Sequence, residues 1–162
     1  MARITPVLAL LALAIFAAGC SAAAEADAPP EINYGRDICL ECDMIISEPR
    51  FAAAYRLDTG EAKSFDGIGE LVKHARRTEE LDRVTFAWVH DFNTEDWILV
   101  EDAYFVAGSD IVTPMGHGIV AFASEGNANE YATELGGTVL RWPEVAALEL
   151  TEAGLLGSHH TD

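Results

Sequence analysis

The sequence predicts an α+β protein in which two ββαβ-like units follow a lipidated, disordered tether over residues 20–34. The order strand–strand–helix–strand occurs twice, over about 51–90 and 103–142, and helices that alternate with strands in this way typically cover one face of a sheet. Residue identity between the two copies is slight, so the hypothesis of an internal duplication rests on the order of the elements. The folded domain is expected to span residues 35–150, with a disordered tail over 151–162.

Residues 1–19 have the features of a bacterial lipoprotein signal peptide. One basic residue precedes an apolar run, Val7–Ala18, which has the length of a secretory signal and is too short to span a bilayer. Small residues stand directly before Cys20, which would be lipidated after cleavage. The alternative is an ordinary cleaved signal in which Cys20 has no role. Lipidation predicts a membrane anchor in the periplasm, and Ser21, in place of Asp, favours the outer membrane.

Local patterns indicate the elements of the first unit. The apolar run 51–57, an Asp-Thr-Gly turn signal and residues 61–65 predict a β-hairpin. Asp66 is a candidate N-cap for a helix over 67–77, where apolar residues recur at helical spacing. Residues 84–90 are rich in β-branched and aromatic side chains, which predicts a strand.

The second unit repeats this plan. Ser124, followed by an acidic residue, predicts the start of a helix that continues to about Leu135, where a Gly-Gly pair ends it. The remaining strands are expected at residues 97–100, 103–106, 119–122 and 138–142.

Charge and composition exclude several classes of function. The chain has a formal net charge of −17, and cleavage of the signal peptide, whose only charged residue is basic, would make it more negative. Such a chain repels nucleic acid and anionic lipid headgroups. The sequence contains no Ser/His/Asp arrangement, phosphate-binding loop or paired-carboxylate motif. It therefore predicts a protein that is not an enzyme and does not bind nucleic acid.

The strongest chemical signal is the pair Cys39 and Cys42, spaced C-x-x-C and followed by Met44. Two cysteines cannot form a disulfide framework, so the fold must depend on a hydrophobic core. Three interpretations of the pair compete: a structural disulfide, a thioredoxin-like redox pair and a soft-metal site. The redox pair fits poorly, because it should follow a core strand and open a long helix, whereas this motif follows a tether and precedes Pro49.

A second loop supplies further soft donors, Met115 and His117. Met115 lies between proline and glycine, where no regular element is expected to bury it, so the loop is expected to present both side chains to solvent. Thiolate, thioether and imidazole ligands together favour Cu(I). Zinc is the rival ion, and it would need a fourth ligand from His74, expected on a mostly solvated helix, or from His90.

These motifs resemble those of the NosL lipoproteins, accessory copper proteins in the maturation of nitrous oxide reductase. The resemblance covers nearly the whole mature chain. It rests on Cys20 and on the segments Cys39–Ile46, Phe51–Ala53, Phe65–Asp66, Trp97–Ile98, Ala103–Val106, Pro114–Gly118 and Ala121–Phe122. Asp43 stands where the family usually has glycine, which could change the turn after Cys42, because Asp adopts a positive φ less freely.

The resemblance implies a monomeric periplasmic Cu(I) chaperone of two ββαβ-like units. It would deliver copper to apo nitrous oxide reductase with the help of an ABC-type membrane maturation complex, and it would contact the membrane through its lipid anchor only. The family pattern assigns Cys39, Cys42 and Met44 to the first ligand motif, and Met115 and His117 to the second. Which of the five bind together stays open. The alternative function is a disulfide-stapled lipoprotein that acts as a thiol oxidoreductase or scaffold.

Overall fold

The structure is a computed structural model that describes residues 27–151 and 154–155. The predicted signal peptide, Cys20 and the beginning of the tether lie outside the described residues. Within the described part, no helix is both long enough and apolar enough to cross a bilayer.

The chain folds into two units and a short C-terminal extension. The first unit contains β1 (Ala53–Leu57), β2 (Ala62–Phe65), α1 (Ile68–Arg77), β3 (Val84–His90) and β4 (Trp97–Leu99). The second contains β5 (Tyr104–Ala107), β6 (Ile119–Phe122), α2 (Glu125–Leu135) and β7 (Thr138–Leu140). The extension contains α3 (Trp142–Ala146), β8 (Leu150–Thr151) and β9 (Gly154–Leu155), and single 3-10 turns occur at Pro49–Phe51, Leu81–Arg83 and Pro114–Gly116.

Each unit forms one antiparallel sheet, with strand order β2-β1-β3-β4 in the first and β6-β5-β7 in the second. A single parallel bridge between Asp91 and Ala121, continued by a 2.8 Å hydrogen bond from Phe92 N to Ala121 O, joins β6 to the end of the first sheet. The predicted α+β class is therefore confirmed, and strands β3 and β6 have the predicted bounds.

The two units share one hydrophobic core. Phe65 and Leu71 of the first unit pack in the same cluster as Phe105 of the second. The next residue of β5, Val106, points to the opposite face of its sheet, as strand geometry requires, and packs in a smaller cluster with Ala128 of α2. Strand β5 is thus covered on both faces, which explains its continuous apolar sequence.

The structure corrects several sequence-based boundaries. Asp66 does not cap α1; the N-cap is Gly67, with no side-chain cap. Trp142 begins α3 rather than ending β7, because Pro143 fits the first turn of a helix. Ile32, predicted to lie in the tether, is buried in the core, and the backbone pairing of β8 with β9 extends into the tail predicted to be disordered. By contrast, Ser124 caps α2 as expected, accepting a 3.1 Å hydrogen bond from Asn127 N.

Close packing at the start of α1 brings the second unit against the first. A Cβ added at Gly69 would lie 1.9 Å from Cδ2 and 2.5 Å from Cγ of His117. Only glycine at this position permits the loop before β6 to approach the helix so closely.

We expect Gly69→Ala to destabilise the protein by about 1–3 kcal/mol, because the ring of His117 must move within a packed core. Gly126→Ala is the matched control: it is likewise the second residue of a helix, and its added Cβ would meet only Ser124 Oγ at 3.8 Å. That control should be neutral or slightly stabilising. Urea unfolding of both variants measures the difference, and equal stabilities would contradict the packing described above.

Candidate metal centre

The C-x-x-C motif lies on a tight loop that closes on itself. Ile38 pairs with Ile45 in an isolated antiparallel bridge, and Cys39 N donates a 2.8 Å hydrogen bond to Met44 O. Asp43 N donates to Cys39 O at 3.1 Å, with Asp43 at φ +60°. Asp43 therefore adopts the left-handed conformation that glycine reaches more freely.

The loop brings the two cysteines together beside a carboxylate. Cys39 is fully buried, Cys42 is half-buried, and both are free thiols in the structure. The Cys42 sulfur lies 3.5 Å from each carboxylate oxygen of Asp66. One donor atom from each of Cys39, Cys42 and Asp66 lies within 4.8 Å of the others, a spacing that suits chelation of a single ion.

Burial suppresses ionisation of both thiols. It raises the pKa of Cys39 well above its usual range. It also raises the pKa of Cys42, and the negative charge of Asp66 raises it further. A metal ion bound here would therefore have to displace protons from the sulfur atoms.

Asp66 is the residue that sequence reasoning missed, since its position before α1 suggested a cap. It is 5% exposed and directly follows β2, so the end of that strand points its carboxylate towards Cys42. The signal was present in the Phe65-Asp66 pair, which belongs to the motifs of the resemblance.

Met44 lines an open cleft between the two loops, whereas Met115 directly follows Pro114, another residue of its lining. Met44 is 57% exposed and, with Asp66, Val112 and Pro114, lines a cavity of about 300 Å³. Met115 is half-buried on the adjacent 3-10 turn, with φ +58°. This turn lies near the start of α1, because a Cβ on Gly67 would lie 3.9 Å from Pro114 O. The structure thus places the Met115 turn at the same end of α1 as Asp66.

His117 does not face solvent, so that expectation is wrong. Its side chain is 2% exposed and packs on Gly69, and its Nε2 lies 3.3 Å from Oε1 of the equally buried Glu70. Burial raises the pKa of Glu70 to about 7, and the nearby charge of Asp66 adds to the shift. His117 joins the second loop to α1; a role as a metal ligand stays a prediction.

Glu41, which lies between the two cysteines in sequence, connects the C-x-x-C loop to the C-terminal end of α1. Its Oε2 accepts hydrogen bonds of 3.2 and 2.9 Å from Nε and Nη2 of Arg77 and lies 3.1 Å from Nδ1 of His74. His74 was expected on a solvated face but is 7% exposed. We call Glu41, His74 and Arg77 the loop clamp.

Glu41→Ala removes the loop clamp, and we expect amide hydrogen exchange over residues 39–44 to rise about tenfold or more through local opening. Asp58→Ala is the control, because it removes a 2.9 Å pair with Arg83 at the opposite end of the β1–β2 hairpin from Asp66. Equal rates of amide hydrogen exchange over residues 39–44 in the two variants would show that the loop clamp does not restrain the loop.

Asp66→Asn should lower the pKa of Cys42, because it removes a negative charge that disfavours the thiolate. The pH dependence of Cys42 alkylation by iodoacetamide should shift to lower pH, and alkylation at neutral pH should be faster. Asp43→Asn, which neutralises an exposed carboxylate next to Cys42 in sequence, provides the control and should leave the profile in place. An unshifted profile in Asp66→Asn would contradict the coupling between the two groups.

Comparison with known proteins places these features in a family. A family model described as NosL matches residues 31–150 of the chain. The chain is 26% identical over 152 residues to the copper-binding lipoprotein NosL of Stutzerimonas stutzeri, covering 89% of this chain and 80% of the relative. Its fold is similar to that of the copper chaperone NosL from Shewanella denitrificans, with a TM-score of 0.65 and 23% identity over 73% of this chain and 95% of the other. The chain belongs to the NosL family.

Proposed function

We propose that this protein is a Cu(I) chaperone, and not an enzyme, that binds one copper ion through Cys39, Cys42 and Met115. The observation that carries the proposal is the convergence of two thiols and a carboxylate within 4.8 Å, beside a cleft bordered by both methionine loops. The names of the two relatives, a copper-binding lipoprotein and a copper chaperone, support copper as the cargo.

The donor set favours Cu(I) over zinc. Two cysteine sulfurs, with Met44 on the same loop and Met115 on the second loop, offer a soft donor set, which favours Cu(I). A closed structural zinc site has four ligands, so the two cysteines would need two more, such as imidazoles. His90 is engaged elsewhere, since its Nε2 lies 2.8 Å from Tyr34 Oη and its Nδ1 lies 2.7 Å from Glu95 O. His74 is held by Glu41 in the loop clamp.

The other candidate residues, Met44, His117 and Asp66, have secondary roles in this proposal. Met44, exposed at the mouth of the cleft, is suited to meet an incoming or departing ion. His117 lies in the core against α1 and supports the turn that carries Met115. Asp66 is a hard ligand that Cu(I) binds weakly. Its carboxylate accepts a hydrogen bond from the Cys42 thiol.

The thiol oxidoreductase alternative is less well supported. Redox-active cysteines have lowered pKa values and commonly stand at the start of a helix. Here burial raises the pKa of both thiols, and the motif lies on a loop. A site that keeps its sulfurs protonated until a metal binds resists oxidation, which suits a chaperone in an oxidising compartment.

We further infer the setting of this function from the resemblance to NosL proteins. The protein would be anchored through Cys20 in the periplasm, at the outer membrane. It would act as a monomer, delivering copper to apo nitrous oxide reductase together with an ABC-type maturation complex. The acidic surface leaves no role for nucleic acid.

The test is a Cu(I) titration of reduced protein lacking residues 1–19 against a chromogenic competitor. We expect one tight equivalent. Cys42→Ser should weaken binding more than about 100-fold, beyond the range typical of a lost supporting contact. Met115→Leu, which conserves volume, should weaken it about tenfold, equivalent to about 1.4 kcal/mol. Met44→Leu provides the comparison and should have a smaller effect.

Two results would overturn the proposal. One is the absence of any competition for Cu(I) by the reduced protein. The other is an affinity that is the same in wild type and Cys42→Ser. A thiol count on protein isolated from the periplasm completes the test, since Cys39 and Cys42 found as a disulfide without copper would favour the stapled-lipoprotein alternative.

A further inference from the structure

Exposed apolar side chains are concentrated around the candidate metal centre. Among the described residues, six large hydrophobic side chains are exposed, and five of them lie on the two ligand-bearing loops. Four of these five, Ile38, Met44, Ile45 and Val112, are linked by a backbone bridge or a shared cleft, and we call them the apolar patch; the fifth is Leu40. The sixth, Leu135, is the last residue of α2 and lies on neither loop. Exposed apolar groups gathered in this way mark interaction sites, whereas scattered ones need no explanation.

The patch is built from two loops that face each other. Ile38 and Ile45 are partners in the bridge that closes the C-x-x-C loop, and Met44, Ile45 and Val112 line the same cleft. Val112 is 88% exposed, so nothing within the described chain covers it. Asp66, which contacts Cys42, also lines this cleft. A group that enters the cleft from outside therefore reaches Met44 and Asp66, and Asp66 contacts Cys42.

The charge around the patch restricts what can cover it. Residues 31–48 contain five acidic residues, of which Glu41 is paired with Arg77, and one basic residue; residues 108–118 contain one acidic residue and neither Lys nor Arg. With a net charge of −17 on the chain, this face repels a second copy of the protein and repels anionic lipid. A protein surface with an apolar centre and a rim of Lys and Arg fits it.

We propose that the apolar patch is the docking surface for the protein with which copper is exchanged. The inference rests on the proposed function and adds the chemistry of the partner. That partner has an apolar contact surface rimmed by Lys and Arg and inserts a thioether, thiolate or imidazole into the cleft.

Docking at this surface would permit transfer by ligand exchange without any redox change. A bond forms between Cu(I) and the partner's ligand as the bond between Cu(I) and a cysteine sulfur breaks. The released thiolate takes a proton from water, and the ion stays Cu(I) throughout. The apolar surroundings exclude water, which strengthens the electrostatic attraction at the rim.

The experiment compares Val112→Asp with Leu135→Asp, each loaded with Cu(I). Both place a carboxylate on an exposed apolar position, but only the first lies in the patch. Transfer is measured to apo nitrous oxide reductase and, separately, to a small chromogenic chelator. We expect Val112→Asp to slow transfer to the reductase about tenfold or more, with Leu135→Asp at the wild-type rate. Transfer to the chelator should be unchanged in both, because a small molecule needs no docking surface.

The outcomes separate this proposal from the proposed function. Equal rates to the reductase in wild type and Val112→Asp overturn the docking surface alone. A wild type that binds no Cu(I) overturns copper binding, and with it the docking surface. A wild type that gives copper to the chelator but none to the reductase overturns delivery to that acceptor, and docking to it as well.

Two further measurements test whether a second copy of the protein or a lipid membrane covers the apolar patch instead. Sedimentation of the wild type should give a monomer, and a dimer that Val112→Asp dissociates would assign the patch to a second copy. Flotation of the protein lacking residues 1–19 with phosphatidylethanolamine–phosphatidylglycerol vesicles should show no binding. Binding that Val112→Asp abolishes would assign the patch to the membrane and overturn the proposal.

Discussion

The contact of His117 and Glu70 at the start of α1 is the constraint on which the rest of the site depends. Both side chains are almost fully buried, and Nε2 of His117 lies 3.3 Å from Oε1 of Glu70. Because Gly69 has no Cβ, the loop before β6 lies directly on the helix. This single packing arrangement places the Met115 turn of the second unit near Asp66 of the first.

Helix α1 is therefore the common support of both candidate ligand loops. Asp66 and Gly67 at its start face Cys42 and the Met115 turn, and His74 and Arg77 in its last turns hold Glu41. Glu41 restrains the middle of the cysteine loop, and His117 restrains the base of the methionine loop. The cleft between the two loops can therefore stay open. Open, under-coordinated sites are the arrangement that ligand exchange requires, because an incoming donor must reach the ion before the old bond breaks.

Features with local causes could be predicted from the sequence. Strand β3 follows from its β-branched and aromatic residues, and α2 begins after Ser124 because the hydroxyl satisfies a free backbone amide at the helix start. Features set by distant packing could not. Nothing local shows that the carboxylate of Asp66 points towards Cys42 instead of capping α1, or that a glycine in α1 receives the ring of His117. The ligand motifs were recognisable, but their surroundings depend on contacts between residues some 24 and 48 positions apart.

Copper K-edge X-ray absorption of the Cu(I)-loaded protein tests the central claim most directly, because it reports the atoms bound to the ion. A site formed by Cys39, Cys42 and Met115 predicts the edge feature of Cu(I) and a first coordination shell made of sulfur. A first shell dominated by nitrogen or oxygen would contradict it, since the ion would then be bound by His117 or by carboxylates rather than by the two loops that meet at the start of α1.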